Sequence, residues 1–130
     1  MANKIEKEYE EKIYPELIVP VPLHEKRLIQ RGYNQSLLLA KILSHHLKVP
    51  LSHQDCQRIK NTTAQSSLKE KARKKNLKQA FTLKAQPAIE HIALVDDVIT
   101  TGATLNELSK VYKNAGVKRI DIWICARALL

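Results

Sequence analysis

Ile92-Ala93-Leu94-Val95-Asp96-Asp97-Val98-Ile99-Thr100-Thr101-Gly102-Ala103-Thr104 is the stretch on which the reading of this chain turns. His91 to Val95 is almost continuously apolar, the pattern of a strand covered on both faces of a parallel sheet. Two adjacent carboxylates follow at its carboxyl end, where open parallel sheets bind their ligands. A turn of Thr, Thr and Gly then leads straight into a helix expected from about Ala103 to Asn114. Backbone N–H groups and the helix dipole at such an entry attract an anion. Gly102 has no Cβ to obstruct a phosphate, and the threonine hydroxyls add donors. Carboxylates would repel a phosphate, so Asp96 and Asp97 suit neutral hydroxyls or a metal. Together the parts describe a seat for a phosphorylated sugar, with the phosphate at the helix entry and vicinal hydroxyls on the acids.

The flanking sequence supports a parallel α/β sheet. Glu16 to Pro22 reads as a short buried strand, stopped by Pro20 and Pro22. His24 to Gly32 reads as a basic connection closing in a glycine. Asn34 is placed to cap a helix running to about Leu47. Strands are expected within Leu51 to Ile59 and over Ala80 to Lys84. Lys60 to Lys78 is polar, carries seven basic residues and reads as a long loop of the kind that often serves as a lid. In the helix after the acids, Leu105, Leu108 and Val111 share a face, and Gly116 marks its stop. Ile120 to Ala126 alternates as a final strand, with Trp123 in the core and Cys125 expected as a buried, inert thiol. His45 and His46 are expected at the surface. Strands alternating with helices give a mainly parallel twisted sheet flanked by helices on both faces.

A length of 130 residues predicts one domain: an N-terminal arm or reduced hood over 1–16, then the sheet domain over 17–130. No apolar stretch approaches the ~20 residues of a membrane span. The charged first fifteen residues contain no signal-peptide core, so cytoplasmic residence is expected. The net charge of +9 is concentrated in one region. Between His24 and Ala80 thirteen Lys or Arg face three acids, which points to an anionic partner, either a nucleic acid or a small polyphosphate. No helix-turn-helix motif is visible, and aromatic residues make up 5%, few for base stacking.

All thirteen positions of Ile92 to Thr104 fit the 5-phosphoribosyl-1-pyrophosphate (PRPP) motif, and the stretch resembles that of type I phosphoribosyltransferases. Val19-Pro20-Val21-Pro22-Leu23-His24, Arg27 and Arg31-Gly32-Tyr33-Asn34-Gln35 look like the first block of the ComF family, which is associated with competence and DNA uptake. Arg58, Thr63, Gln65, Leu68, Arg73, Asn76 and Ala80-Phe81 look like its middle block, and Ala126-Arg127 fits its end. The resemblance spans roughly Leu17 to Arg127. It implies transfer of a phosphoribosyl group from PRPP to a nitrogen nucleophile, with Mg²⁺ as cofactor.

By the same resemblance, Asp96 and Asp97 hold the ribose hydroxyls, directly or through Mg²⁺. Val98, Thr100, Thr101, Gly102, Ala103 and Thr104 then line the 5-phosphate site. A loop from Pro22 to Arg31 is the pyrophosphate candidate, with His24, Lys26, Arg27 and Arg31 as its donors. Arg58 stands at the root of a lid over Lys60 to Lys75. Two departures qualify the resemblance. No cysteine stands near the N-terminus, so the zinc module common in ComF-like proteins is not expected. Thr100 occupies a position where some purine-salvage members carry an acid, which argues against purine salvage. The base-recognising hood is expected to be small or supplied by a partner chain. A non-catalytic PRPP- or nucleotide-binding module, or a nucleic-acid-associated competence factor, remains the alternative. The expected partners are PRPP, a nucleic acid or part of the competence machinery, and a second copy of the chain.

Overall fold

The computed structural model describes residues 5, 14–52, 55–59, 80–99 and 102–127, with backbone alone at 25, 27, 98, 99, 126 and 127. Eight elements follow in chain order: β1 (Leu17–Pro20), α1 (Glu25–Arg31), α2 (Gln35–Leu47), β2 (Cys56–Arg58), β3 (Phe81–Leu83), β4 (His91–Ile99), α3 (Ala103–Asn114) and β5 (Arg119–Arg127). β1, β4 and β5 form a parallel sheet in the order β1-β4-β5. β2 and β3 pair antiparallel in a separate two-stranded sheet.

Both faces of the three-stranded sheet are covered, which explains the unbroken apolar run of β4. Ile92, Leu94, Val19 and Val21 pack with Leu105, Leu108 and Tyr112 of α3 and with Phe81 of β3. Ala93, Val95, Ile18 and Trp123 pack with Ala40 and Leu43 of α2, and Ile5 joins them. Alternate residues of one strand thus serve two cores. The helices lie on opposite faces, as the sequence reading expects.

Three local expectations change. His24 to Gly32 is mostly helix: the His24 Nδ1 accepts from the Lys26 N–H at 3.1 Å, and Gly32 closes α1 at φ 82 with its N–H donating to Leu28 O. Histidine is an uncommon cap, and the short basic run has no strong apolar stripe, so the helix signal is weak. β4 continues through both acids to Ile99, because β5 pairs with it as far as Ile99↔Arg127. Cys125 is exposed. Alternation places it on the face of Trp123, but two residues nearer the strand's carboxyl end. On α3, Tyr112 is buried and Val111 only partly so. The thiol of buried Cys56 shares a hydrogen bond with the Tyr112 hydroxyl, and burial pushes it up to about 12. Cys56 is therefore the inert thiol of the pair.

Leu108 is fully buried between α3 and the sheet. Leu108→Ala should destabilise the domain by about 3 kcal/mol, read as a shift of the denaturant midpoint at unchanged m-value.

Candidate functional site

β1 and β4 run side by side from Leu17↔Ile92 to Pro20↔Val95. β1 then ends, while β4 runs on for four residues with β5 along one side. Asp96 is the first residue beyond the end of β1. A step is left at the carboxyl edge of the sheet, and the start of α2 comes to it.

A chain of hydrogen bonds holds this step. The Val21 N–H donates to Val95 O at 2.9 Å. Asn34 Nδ2 donates to Val21 O at 3.1 Å, while Asn34 Oδ1 accepts from the Ser36 and Leu37 N–H groups at 3.0 and 3.3 Å. Ser36 Oγ donates to Asp96 Oδ1 at 3.1 Å. One asparagine therefore caps α2 and also ties it to the end of β1. The expected role of Asn34 as a cap is met, and its second contact could not be read from the sequence.

Asp96 Oδ1 also accepts from the Asp97 N–H at 3.0 Å. Both acids are half-buried. Burial is the main cause that lifts the Asp96 carboxyl to about 6; its side-chain hydrogen bond with Asp97 and the charge of that neighbour raise it further, while the Ser36 hydroxyl opposes the rise. A carboxyl so perturbed at a strand's carboxyl end is a candidate for a functional group. At α3, Gly102 is the N-cap residue at φ 77 and makes no side-chain cap hydrogen bond. A residue with a Cβ would be strained at that φ. The helix entry at Gly102, Ala103 and Thr104 thus lies three residues beyond the end of β4.

The structure brings Asp96, Asp97 and the start of α2 together, and α1 is joined to them through Val21 and Asn34. His24 uses Nδ1 to cap α1. Lys26 and Arg31 are exposed on α1; the pyrophosphate candidates expected on a loop therefore stand on or at the start of a helix. The side chains of Arg27 and Val98 lie outside the described residues, as do Thr100, Thr101 and the expected lid over 60–75. Arg58 lies in β2 with its guanidinium 5.3 Å from the centroid of the Phe81 ring, a cation–π contact. Tyr33 is exposed. Sequence reasoning missed Ser36, a buried polar residue whose partner lies 60 positions away.

Among the described residues no group of three or more His, Cys, Asp or Glu is arranged to hold a metal. Two adjacent carboxylates suit Mg²⁺, which takes one or two protein carboxylates and completes its shell with water and substrate phosphates. They do not suit a closed structural metal centre, which needs four protein ligands. Among the described residues no helix is long and apolar enough to cross a membrane.

Residues 34–128 match the phosphoribosyl transferase domain family. The chain belongs to that family. It is 48% identical over 117 residues to Competence protein F of Haemophilus influenzae, covering 88% of this chain and 51% of that protein. It is 37% identical over 115 residues to the DNA utilization protein YhgH of Escherichia coli K12, with the same two coverages. The ComF resemblance read from the sequence is thereby met, and the chain spans about half the length of these relatives. Among solved structures, the purine phosphoribosyltransferase of Pyrococcus horikoshii superposes with a TM-score of 0.54 at 23% identity, covering 97% of this chain and 67% of that one. The hypoxanthine phosphoribosyl transferase of Trypanosoma cruzi does so at 0.54 and 16%, covering 99% and 70%. These likenesses establish the type I phosphoribosyltransferase fold.

The raised carboxyl of Asp96 makes the stability of the fold depend on pH. Its proton is held more tightly in the folded chain than in the unfolded one, so its stabilising effect is complete below about pH 4 and is lost as the pH rises through about 6. Asp96→Asn should therefore raise the thermal midpoint at pH 8, by the equivalent of about 1–2 kcal/mol after allowance for solvent screening. The gain should vanish near pH 4. Melting curves of both proteins across that range measure it.

Proposed function

We propose that this chain binds PRPP with Mg²⁺ and transfers the phosphoribosyl group to a nitrogenous acceptor. The observation that carries this reading is the Asp96–Asp97 pair at the carboxyl end of β4, followed by the glycine-entered start of α3. Membership of the phosphoribosyl transferase domain family supports it. The acids accept from the ribose 2- and 3-hydroxyls. Thr100, Thr101, Gly102, Ala103 and Thr104 hold the 5-phosphate, with Val98 beside them. His24, Lys26, Arg27 and Arg31 attract the pyrophosphate, the arginines by paired N–H donors, and Arg58 anchors the lid.

Replacing pyrophosphate at the ribose C1 passes through a transition state with oxocarbenium character, as in glycoside cleavage. Such a reaction needs no protein nucleophile. It needs the ribose held still, the departing charge balanced and water kept out. Asp96 and Asp97 would hold Mg²⁺ when it is bound, and the ion would supply neutralisation of phosphate charge. The acids of β4 fix the sugar, and the cations of α1 face the leaving group. The acceptor is recognised by a hood supplied by residues 1–16 or by a partner chain. The work is expected to take place in the cytoplasm.

The names of the relatives favour a second reading, a non-catalytic PRPP- or nucleotide-binding protein acting in DNA uptake, with the basic middle of the chain meeting nucleic acid. Two measurements separate the readings. Calorimetry with PRPP and Mg²⁺ should show binding to the native chain, weakened at least roughly 100-fold by Asp96→Asn combined with Asp97→Asn, since two charge-assisted contacts are lost. A panel of nitrogenous acceptors should then yield pyrophosphate release with at least one member. Binding without release would favour the second reading, and unchanged affinity in the double variant would refute the site.

A further inference from the structure

Ser36 is unusual for a residue in the first turn of a helix. It is 4% exposed, and a hydroxyl so buried is costly unless it is bonded. Its hydroxyl does not cap α2, because Asn34 Oδ1 already accepts from the Ser36 and Leu37 N–H groups. It reaches out of its own helix to Asp96 Oδ1 at 3.1 Å. That oxygen also accepts from the Asp97 N–H, so both of its lone pairs are engaged by the protein. Oδ1 is thus turned inward, which leaves the carboxyl to meet its Asp97 neighbour, with which it shares a side-chain hydrogen bond, and a ligand through Oδ2.

A bland role for Ser36, as a small residue where α2 meets the sheet, would need no hydroxyl. Alanine would serve there and is the better helix former. The hydroxyl is explained by what it orients.

We propose that Ser36 is a positioning residue for sugar recognition: its hydroxyl fixes the rotamer of Asp96 so that the carboxylate presents Oδ2 to a hydroxyl of the bound ribose. This rests on the reading of Asp96 and Asp97 as the ribose seat, and it adds a residue from a different element to that seat. Through Asn34 and Val21 the same contact links the sugar seat to the segment carrying His24 to Arg31. The 5-phosphate is held at the start of α3, in a different part of the fold. Loss of the Ser36 hydroxyl should therefore weaken recognition of the sugar and spare recognition of the phosphate.

The test is calorimetry on the full chain with ribose 5-phosphate and, separately, with inorganic phosphate. The native chain should bind ribose 5-phosphate more tightly than inorganic phosphate. Ser36→Ala should weaken ribose 5-phosphate roughly tenfold, the worth of one hydrogen bond to a charged group, and leave inorganic phosphate within twofold. In an Asp96→Ala background the serine substitution should have no further effect, a result that a merely structural role would not give. Ser36→Cys keeps the shape and donates weakly, so it should fall between the native chain and Ser36→Ala. It carries the test if the alanine variant does not fold. If the native chain shows no preference for the sugar phosphate, the ribose seat itself is wrong. If that preference is present and survives Ser36→Ala, or if both ligands weaken equally, the role given to Ser36 is wrong and the seat stands.

Discussion

β1 stops one residue short of the acids, and what happens at that step governs the rest of the site. The Val21 N–H closes onto Val95 O, Asn34 clasps Val21 O, and Ser36 reaches from the start of α2 to Asp96. These contacts join residues far apart in the chain into one short circuit around the carboxyl end of β4. Without them Asp96 would be a strand residue with an open side. With them, the end of one strand, the cap of one helix and the carboxylate have fixed relative positions. The prolines that stop β1 are therefore as much a part of the site as the acids, because they create the vacancy that α2 fills.

Holding two carboxylates at this edge has an electrostatic consequence. Burial and the neighbouring acid oppose ionisation of Asp96, and the Ser36 hydroxyl offsets part of that opposition. The fold thus holds a disfavoured charge at this edge, whereas at the opposite end of the sheet its charged groups pair. There the buried His91 pairs with Asp121 at 2.8 Å, and Arg119 meets the same acid at 3.2 Å. Both ends hold carboxylates, but each oxygen of Asp121 faces a basic nitrogen, while Asp96 faces another acid. This asymmetry sets the candidate ligand-binding edge apart from the opposite one.

Much of this was legible in the sequence, for a physical reason. The apolar run Ile92 to Val95 can only be a strand covered on both sides, and the acids, glycine and helix that follow are consecutive, so local pattern sufficed. The same holds for Asn34 as a cap and Gly116 as a stop. What escaped depends on tertiary placement or weak local signals. α1 begins at a histidine cap and has little apolar periodicity, so it read as a loop. Cys125 shares the alternation of Trp123 but lies beyond the cover of the core. Ser36 looks like any polar residue in a first helical turn, and its burial follows from where β1 ends. The two short strands β2 and β3 were found, but their pairing with each other outside the main sheet required the structure.

Amide chemical shifts of the isotope-labelled chain, followed while ribose 5-phosphate is added, examine the sugar-phosphate seat most directly. Perturbations should concentrate at Ser36, Asp96, Asp97 and Gly102 to Thr104, with His91, Arg119 and Asp121 at the far edge unmoved. Saturable changes centred on that far edge, or none near Asp96 and Gly102, would contradict the account.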